Sequence, residues 1–168
     1  NALAATAAAL ALGVSTESIA QGLAAFAPVK GRLQAKPGLH GATLIDDTYN
    51  ANPGSVRAAI NALAAYPGTT ALVLGDMGEL GEDAPRLHRE IGIYAQQAGI
   101  GKLFALGETS REAVAGFGSG GRHFEYIEDL LHEVENLLAP QVTVLVKGSR
   151  FMKMERVVHC LEEAAACC

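Results

Sequence analysis

The chain has 168 residues, 49% hydrophobic and 18% charged, and this composition is too apolar for a disordered protein and predicts a globular one. A net charge of −5 and 5% aromatic residues remove the positive field and the stacking surface on which nucleic-acid binding relies. Residues 2–12 are apolar, but the stretch is short, alanine-rich and without a positive flank, so no signal peptide or membrane insertion is expected.

The two ends of the chain add two expectations. Cys160, Cys167 and Cys168 lie together near the C-terminus without metal-site or disulfide spacing, which is typical of a reducing compartment. The first residue is Asn1 and a helical pattern starts at once, so the natural protein is expected to extend upstream.

Taken in chain order, the elements predict an α/β fold. Two helices are expected at residues 1–12 and 16–26, with Ser15 or Thr16 capping the second and Glu17 near its N-terminus. A break at residues 28–31 follows. Beyond it, strands are expected at residues 42–45, 71–74, 102–106, 123–126 and 142–146, with helices beginning near residues 53, 84, 109, 128 and 151. Continuous apolar strands alternating with helices predict a Rossmann-like, mostly parallel sheet of about six strands with helices on both faces.

Ligands of such sheets bind beyond the carboxyl ends of the strands, so the loops that follow strands are the candidate sites. Residues 46–52 place Asp46, Asp47, Thr48 and Asn50 after the first strand, a cluster that indicates a site although each member alone is equally well a turn residue. Asn52 and Pro53 are explained by structure alone, since asparagine can cap the following helix and proline suits the first position of that helix.

Residues 147–150 leave the last strand and place Lys147 and Arg150 beside Ser149, a potential helix cap. This arrangement favours an anion site for a carboxylate or phosphate. The alternative is that both cations are solvated surface charges.

Glycine patterns do not predict a nucleotide cradle. Residues 116–121 match G-x-G-x-x-G but follow a helix and precede a strand, the reverse of the context that the motif needs. Residues 75–83 connect a strand to a helix, yet their acidic side chains would repel a pyrophosphate, which favours a structural or interdomain loop. Because no P-loop pattern occurs, the chain alone is expected to be inactive towards ATP.

Three segments, in this order, resemble motifs of the Mur ligase family: DDTYNANP at residues 46–53, LGDMGELG at residues 74–81 and VLVKGSR at residues 144–150. Residues 28–33, PVKGRL, are similar to the family's junction between its central and C-terminal domains. The first segment resembles the signature of the members that join D-alanyl-D-alanine to a UDP-N-acetylmuramoyl-tripeptide in peptidoglycan precursor synthesis.

This resemblance implies a domain division and a reaction. Residues 1–30 would be the last helical piece of the central ATPase domain, and residues 31–168 the C-terminal, substrate-binding domain. ATP and Mg²⁺ would be bound mainly by the central domain, and an acyl phosphate would form before the dipeptide attacks. The enzyme would be a cytoplasmic monomer.

The resemblance also assigns roles to residues of this sequence. They are Arg32 and Asp47 as catalytic residues, Asn1, Arg32 and Asp47 as nucleotide-binding residues, and Asn50, Asn52, Lys147, Ser149 and Arg150 as dipeptide-binding residues. Two alternatives stay open at this point: a related amide ligase of the folylpolyglutamate or cyanophycin synthetase type, and a non-catalytic Rossmann-like binding module.

Overall fold

The computed structural model describes residues 2–26 and 29–163. Its helices are α1 (Ala2–Ala11), α2 (Thr16–Ala24), α3 (Pro53–Ala64), α4 (Ala84–Gln97), α5 (Arg111–Phe117), α6 (Ile127–Glu135) and α7 (Glu155–Leu161). Its strands are β1 (Gln34–Pro37), β2 (Thr43–Asp47), β3 (Thr69–Gly75), β4 (Lys102–Leu106), β5 (Gly121–Phe124) and β6 (Val142–Lys147). Short 3₁₀ turns occupy Leu39–Gly41, Gly81–Asp83 and Arg150–Met152.

The six strands form one sheet in the order β1-β2-β6-β3-β4-β5. β1 is antiparallel to β2, and every other neighbouring pair is parallel. The register sets Asp47 of β2 opposite Lys147 of β6, and Lys147 opposite Leu74 of β3. The carboxyl ends of these three strands therefore meet at one edge, and the three candidate loops meet with them.

Two apolar cores cover the two faces of the sheet. On one face the buried side chains of α6 and α7, such as Leu130 and Leu161, pack against Val144 of the central strand. On the other face α3, α4 and α5 pack through side chains such as Ile60 and Ile91. Burying a side chain of this size contributes about 1.5–3 kcal/mol. The prediction of a mostly parallel sheet covered by helices on both faces is confirmed.

One strand was missed, and two elements differ clearly in position from the sequence prediction. β1 was not predicted, because its side chains alternate between half-buried and exposed and form no apolar run. β5 spans Gly121–Phe124 rather than residues 123–126. The last helix begins at Glu155 rather than near residue 151, since a 3₁₀ turn ending at left-handed Lys153 (φ 50°) separates it from β6.

α1 and α2 contact each other and contain no buried residue, so their apolar side chains, such as Leu3 and Leu23, stay exposed. Ser15 caps α2, as predicted, by accepting the Ser18 backbone N–H at 3.2 Å. Hydrogen bonds from its own backbone and from Thr16 hold the pKa of Glu17 below its ordinary value. None of the described helices has the length and apolar character that crossing a membrane requires.

Candidate functional site

Two clefts open at the carboxyl edge of the sheet, on either side of the segment that follows β2. The first, called the Arg150 cleft, has a volume of about 520 Å³ and is lined by residues that include Asn50, Glu79, Leu80, Arg150 and Phe151. The second, called the Arg32 cleft, has a volume of about 360 Å³ and is lined by residues that include Arg32, Asp47, Tyr49, Asn50 and Lys147. Asn50 and Asn52 line both clefts. Each volume suits a small-molecule site.

Asp47 and Lys147 form a buried ion pair beneath the Arg32 cleft. The Lys147 ammonium donates to Asp47 Oδ2 at 2.6 Å and to the backbone oxygen of Asn50 at 2.8 Å. The other carboxylate oxygen of Asp47 accepts the backbone N–H of Leu33 at 3.2 Å. Only 3% of the Lys147 side chain is exposed. Lys147 is therefore neither the free cation of the anion-site hypothesis nor the solvated surface charge of its alternative.

Asp46, the neighbouring carboxylate, is directed to the other side of the strand. It accepts the Thr48 hydroxyl at 2.7 Å and the Thr48 backbone N–H at 3.3 Å, and Lys36 of β1 lies 3.7 Å from its second oxygen. Lys36 also donates to Glu162 at 3.1 Å, which joins the edge strand to the end of the last helix. Asp46 and Thr48 therefore stabilise the β2 turn, in agreement with the structural interpretation of these two residues.

Ser149 ties three loops together. Its hydroxyl donates to the backbone oxygen of Ala51 at 3.1 Å and accepts the backbone N–H of Gly78 at 2.6 Å, while its own N–H donates to the backbone oxygen of Asp76 at 3.0 Å. The Ser149 side chain makes no capping hydrogen bond, and only a 3₁₀ turn follows it. The expectation of a serine-capped helix N-terminus at this position is wrong, because the hydroxyl already serves the neighbouring loops.

Three predicted dipeptide-binding side chains are exposed in the Arg150 cleft. Arg150 has a 67% exposed side chain that forms an ion pair with Glu155 at 3.1 Å. Asn50 uses its side-chain oxygen locally, accepting the Ala51 N–H at 2.9 Å. Asn52 caps α3, as predicted, by accepting the Ser55 N–H at 2.8 Å. The amide NH₂ groups of both asparagines and the guanidinium of Arg150 lie where a ligand could reach them.

The acidic loop of residues 75–83 links the carboxyl end of β3 to the segment that follows β4. Asp76 accepts the Ser110 backbone N–H at 2.7 Å and lies against Gly107, whose φ of 122° and missing side chain leave room for the carboxylate. His88, fully buried on α4, accepts the Met77 N–H at Nε2 (2.9 Å) and contacts the Ala84 carbonyl at Nδ1 (2.7 Å). Since a carbonyl only accepts, the proton of neutral His88 lies on Nδ1.

Sequence reasoning missed Asp76 and His88 as positioning residues. Asp76 belongs to the acidic side chains that were expected only to repel a pyrophosphate, and no role was predicted for His88. A polar residue on the buried face of an amphipathic helix requires a partner, and this was the available signal for His88.

Arg32 lies exposed at the entrance of the second cleft, with its guanidinium 4.4 Å from the centre of the Tyr49 ring. The Tyr49 backbone N–H donates to the Gly31 carbonyl at 3.0 Å, and Asp47 holds the next residue along, Leu33. The segment after the predicted domain junction is therefore fastened to the β2 turn. Asn1, the third predicted nucleotide-binding residue, lies outside the described residues, as does Pro28 of the junction.

A family model, described as "Mur ligase, glutamate ligase domain", matches residues 31–150. The chain belongs to the Mur ligase family. All three motif segments lie within the matched region, and residues of that region line most of both clefts. α1 and α2 precede it.

Comparison with individual Mur ligases shows which members of the family the chain resembles. The chain is 40% identical over 169 residues to the UDP-N-acetylmuramoyl-tripeptide--D-alanyl-D-alanine ligase of Escherichia coli (strain K12), covering 99% of this chain and 37% of that protein. A crystal structure of MurF from Acinetobacter baumannii superposes with a TM-score of 0.87 at 38% identity, covering 95% of this chain and 36% of that one. A crystal structure of the MurF ligase from Thermotoga maritima in complex with ADP superposes with a TM-score of 0.79 at 25% identity, covering 90% of this chain and 34% of that one.

Proposed function

We propose that the chain is the C-terminal part of an ATP-dependent ligase that adds D-alanyl-D-alanine to UDP-N-acetylmuramoyl-tripeptide in peptidoglycan precursor synthesis. The name of the Escherichia coli relative supports this reaction, and the chain spans 37% of the length of that relative. In the proposed sequence of steps, the terminal carboxylate of the tripeptide takes the γ-phosphoryl group of ATP. The dipeptide amine then attacks the acyl phosphate and phosphate leaves.

We also propose the division into residues 1–30, the end of a central ATPase domain, and residues 31–168, the substrate domain. The start of the family match at residue 31 supports this boundary. The exposed apolar side chains of α1 and α2 support it as well, since such side chains favour burial against a neighbouring domain. The complete enzyme would act in the cytoplasm, because its nucleotide-linked substrate and ATP are compounds of that compartment. We propose that it is a monomer.

The Arg150 cleft is the proposed dipeptide site, and the single observation that carries it is the exposed guanidinium of Arg150 at a cleft with an apolar wall. Phe151 is 63% exposed and lies directly over Gly78, where an added Cβ would come within 2.9 Å of its ring. A dipeptide with two methyl side chains and one carboxylate needs such a wall and such a cation. Asn50 and Asn52 would hydrogen-bond its backbone, while Lys147 and Ser149 act through the loops that they hold.

The Arg32 cleft is the proposed approach to ATP. Arg32 would contact the transferring phosphoryl group, and Asp47 would orient the Arg32 segment through Leu33. Among residues 2–26 and 29–163, no three His, Cys, Asp or Glu side chains converge as metal ligands, so no step through Mg²⁺ is assigned to this part of the chain. The ADP complex of the Thermotoga maritima enzyme supports a nucleotide for the family.

Kinetics of the complete ligase with Arg150→Ala test the dipeptide site. Loss of a charge-assisted contact to the carboxylate should raise the KM for D-alanyl-D-alanine about tenfold or more, since such contacts contribute about 1.5–3 kcal/mol. Arg111→Ala is the matched control, because Arg111 is an equally exposed arginine in one ion pair away from both clefts. An unchanged dipeptide KM in Arg150→Ala would exclude this cleft.

A further inference from the structure

Glu79 supplies the Arg150 cleft with a negative charge that no step so far uses. It is exposed and lines the cleft together with Arg150 and Phe151. None of the hydrogen bonds or ion pairs found among the described residues engages its carboxylate. The cleft lining therefore includes a carboxylate without a partner among the described residues, an arginine whose exposed guanidinium is paired with Glu155, and an apolar wall.

The backbone around Glu79 is fixed by the three residues that precede it. The Asp76 carbonyl accepts the Ser149 N–H, the Met77 N–H is held by His88, and the Gly78 N–H is held by the Ser149 hydroxyl. Glu79 itself has a φ of 60°, a conformation that costs a non-glycine residue free energy and persists only where neighbouring contacts enforce it. The backbone from which this carboxylate extends is consequently set before any ligand enters.

We propose that Glu79 binds the ammonium group of the incoming dipeptide and, with Arg150 on its carboxylate, fixes the direction in which the dipeptide lies. This inference rests on the proposed function, since it names the groups that select a zwitterion in the same cleft. A free dipeptide carries one charge at each end, and two residues span at most about 7 Å. A site with one carboxylate, one guanidinium and an apolar wall matches the ammonium, the carboxylate and the methyl side chains of such a ligand.

The contact acts on the ground state. The ammonium must lose a proton before its nitrogen lone pair can form the C–N bond, so an interaction with the charged form stabilises the bound substrate rather than the transition state. Removing it should raise KM and leave kcat within about twofold. Glu155, the other carboxylate near Arg150, is already paired with that guanidinium at 3.1 Å and is not part of the cleft lining.

The test compares Glu79→Gln with wild type in the complete ligase, using N-acetyl-D-alanyl-D-alanine as a competitive inhibitor that lacks the ammonium. Glu79→Gln should raise the KM for D-alanyl-D-alanine about tenfold, because a hydrogen bond between charged groups is lost. It should leave the inhibition constant of the acetylated dipeptide unchanged. The matched control is Glu82→Gln, an exposed carboxylate of the same loop outside the cleft lining, and it should change neither constant.

An unchanged KM in Glu79→Gln, or a KM and an inhibition constant that rise together, would overturn the ammonium assignment and leave the dipeptide site itself standing. Failure of the wild-type ligase to use D-alanyl-D-alanine would instead contradict the proposed function. Circular dichroism and thermal melts of each variant separate these outcomes from a folding defect.

Discussion

Replacing Lys147 by methionine should destabilise the domain strongly, because the substitution removes one partner of a buried ion pair and keeps the other. Asp47 would retain its hydrogen bond from Leu33 N–H but lose the ammonium 2.6 Å from Oδ2, and the Asn50 carbonyl would lose its donor. Only 12% of the Asp47 side chain is exposed, so water restores little of the lost interaction. Breaking a buried pair in this way costs about 3–5 kcal/mol.

A double-mutant cycle in urea measures this cost on the 168-residue chain itself. Lys147→Met should lower the free energy of unfolding by about 3–5 kcal/mol, a fall in Tm of roughly 6–20 °C. Asp47→Asn combined with Lys147→Met should cost less than the sum of the two single changes, since no unpaired charge remains. Lys102→Met, at an exposed position that begins β4, is the control and should stay within about 0.5 kcal/mol of wild type. A cost below about 1 kcal/mol for Lys147→Met, or additive costs in the double variant, would refute the reasoning.

Two further predictions concern the loops and the Arg32 cleft. His88→Leu keeps the volume and removes the acceptor of the Met77 N–H, so it should cost about 1–3 kcal/mol in urea unfolding. His88→Gln, which can still accept there, should cost clearly less, and equal costs would exclude the hydrogen bond as the cause. In the complete ligase, Arg32→Ala should lower kcat about a hundredfold at an unchanged Tm and dipeptide KM. Arg57→Ala, the control, removes a similar arginine stacked on Tyr94 and should leave kcat unchanged. If the activity of Arg32→Ala falls only in step with its melting temperature, Arg32 has a structural role.

The fold was predictable because its central strands are buried on both sides and leave a strong signal. β4 was expected at residues 102–106 and occupies Lys102–Leu106. The capping asparagine and the proline indicated the helix that begins at residue 53. β1 left no such signal, since an edge strand pairs on one side only and needs no apolar run. The interruption before α7 was equally hidden, because the left-handed turn falls on Lys153, a residue that does not predict it.

The meeting of the three candidate loops at one edge of the sheet was predictable, but the pairing of their charged side chains was not. The carboxyl ends of parallel strands share one edge of the sheet, so the three loops that follow them could be placed together without knowing any contact between them. Lys147 and Arg150 stand three residues apart and were treated alike. They differ because Lys147 ends β6 in register with Asp47 and is buried, whereas Arg150 begins the 3₁₀ turn after β6 and faces solvent. Strand order decides which cation is paired, and strand order depends on contacts between residues distant in sequence.

Burial divides the polar groups of this edge into two sets with different consequences for substitution. The buried set, Asp46, Asp47, Thr48, Lys147 and Ser149, satisfies itself through internal hydrogen bonds, so the backbone of both clefts is held in place before a ligand arrives. The exposed set, Arg32, Asn50, Glu79 and Arg150, retains bonding capacity. A change in the buried set leaves a group without a partner inside the protein and costs stability. A change in the exposed set exchanges one solvated group for another, so it should alter binding of the ligand proposed for this edge and leave the scaffold unchanged.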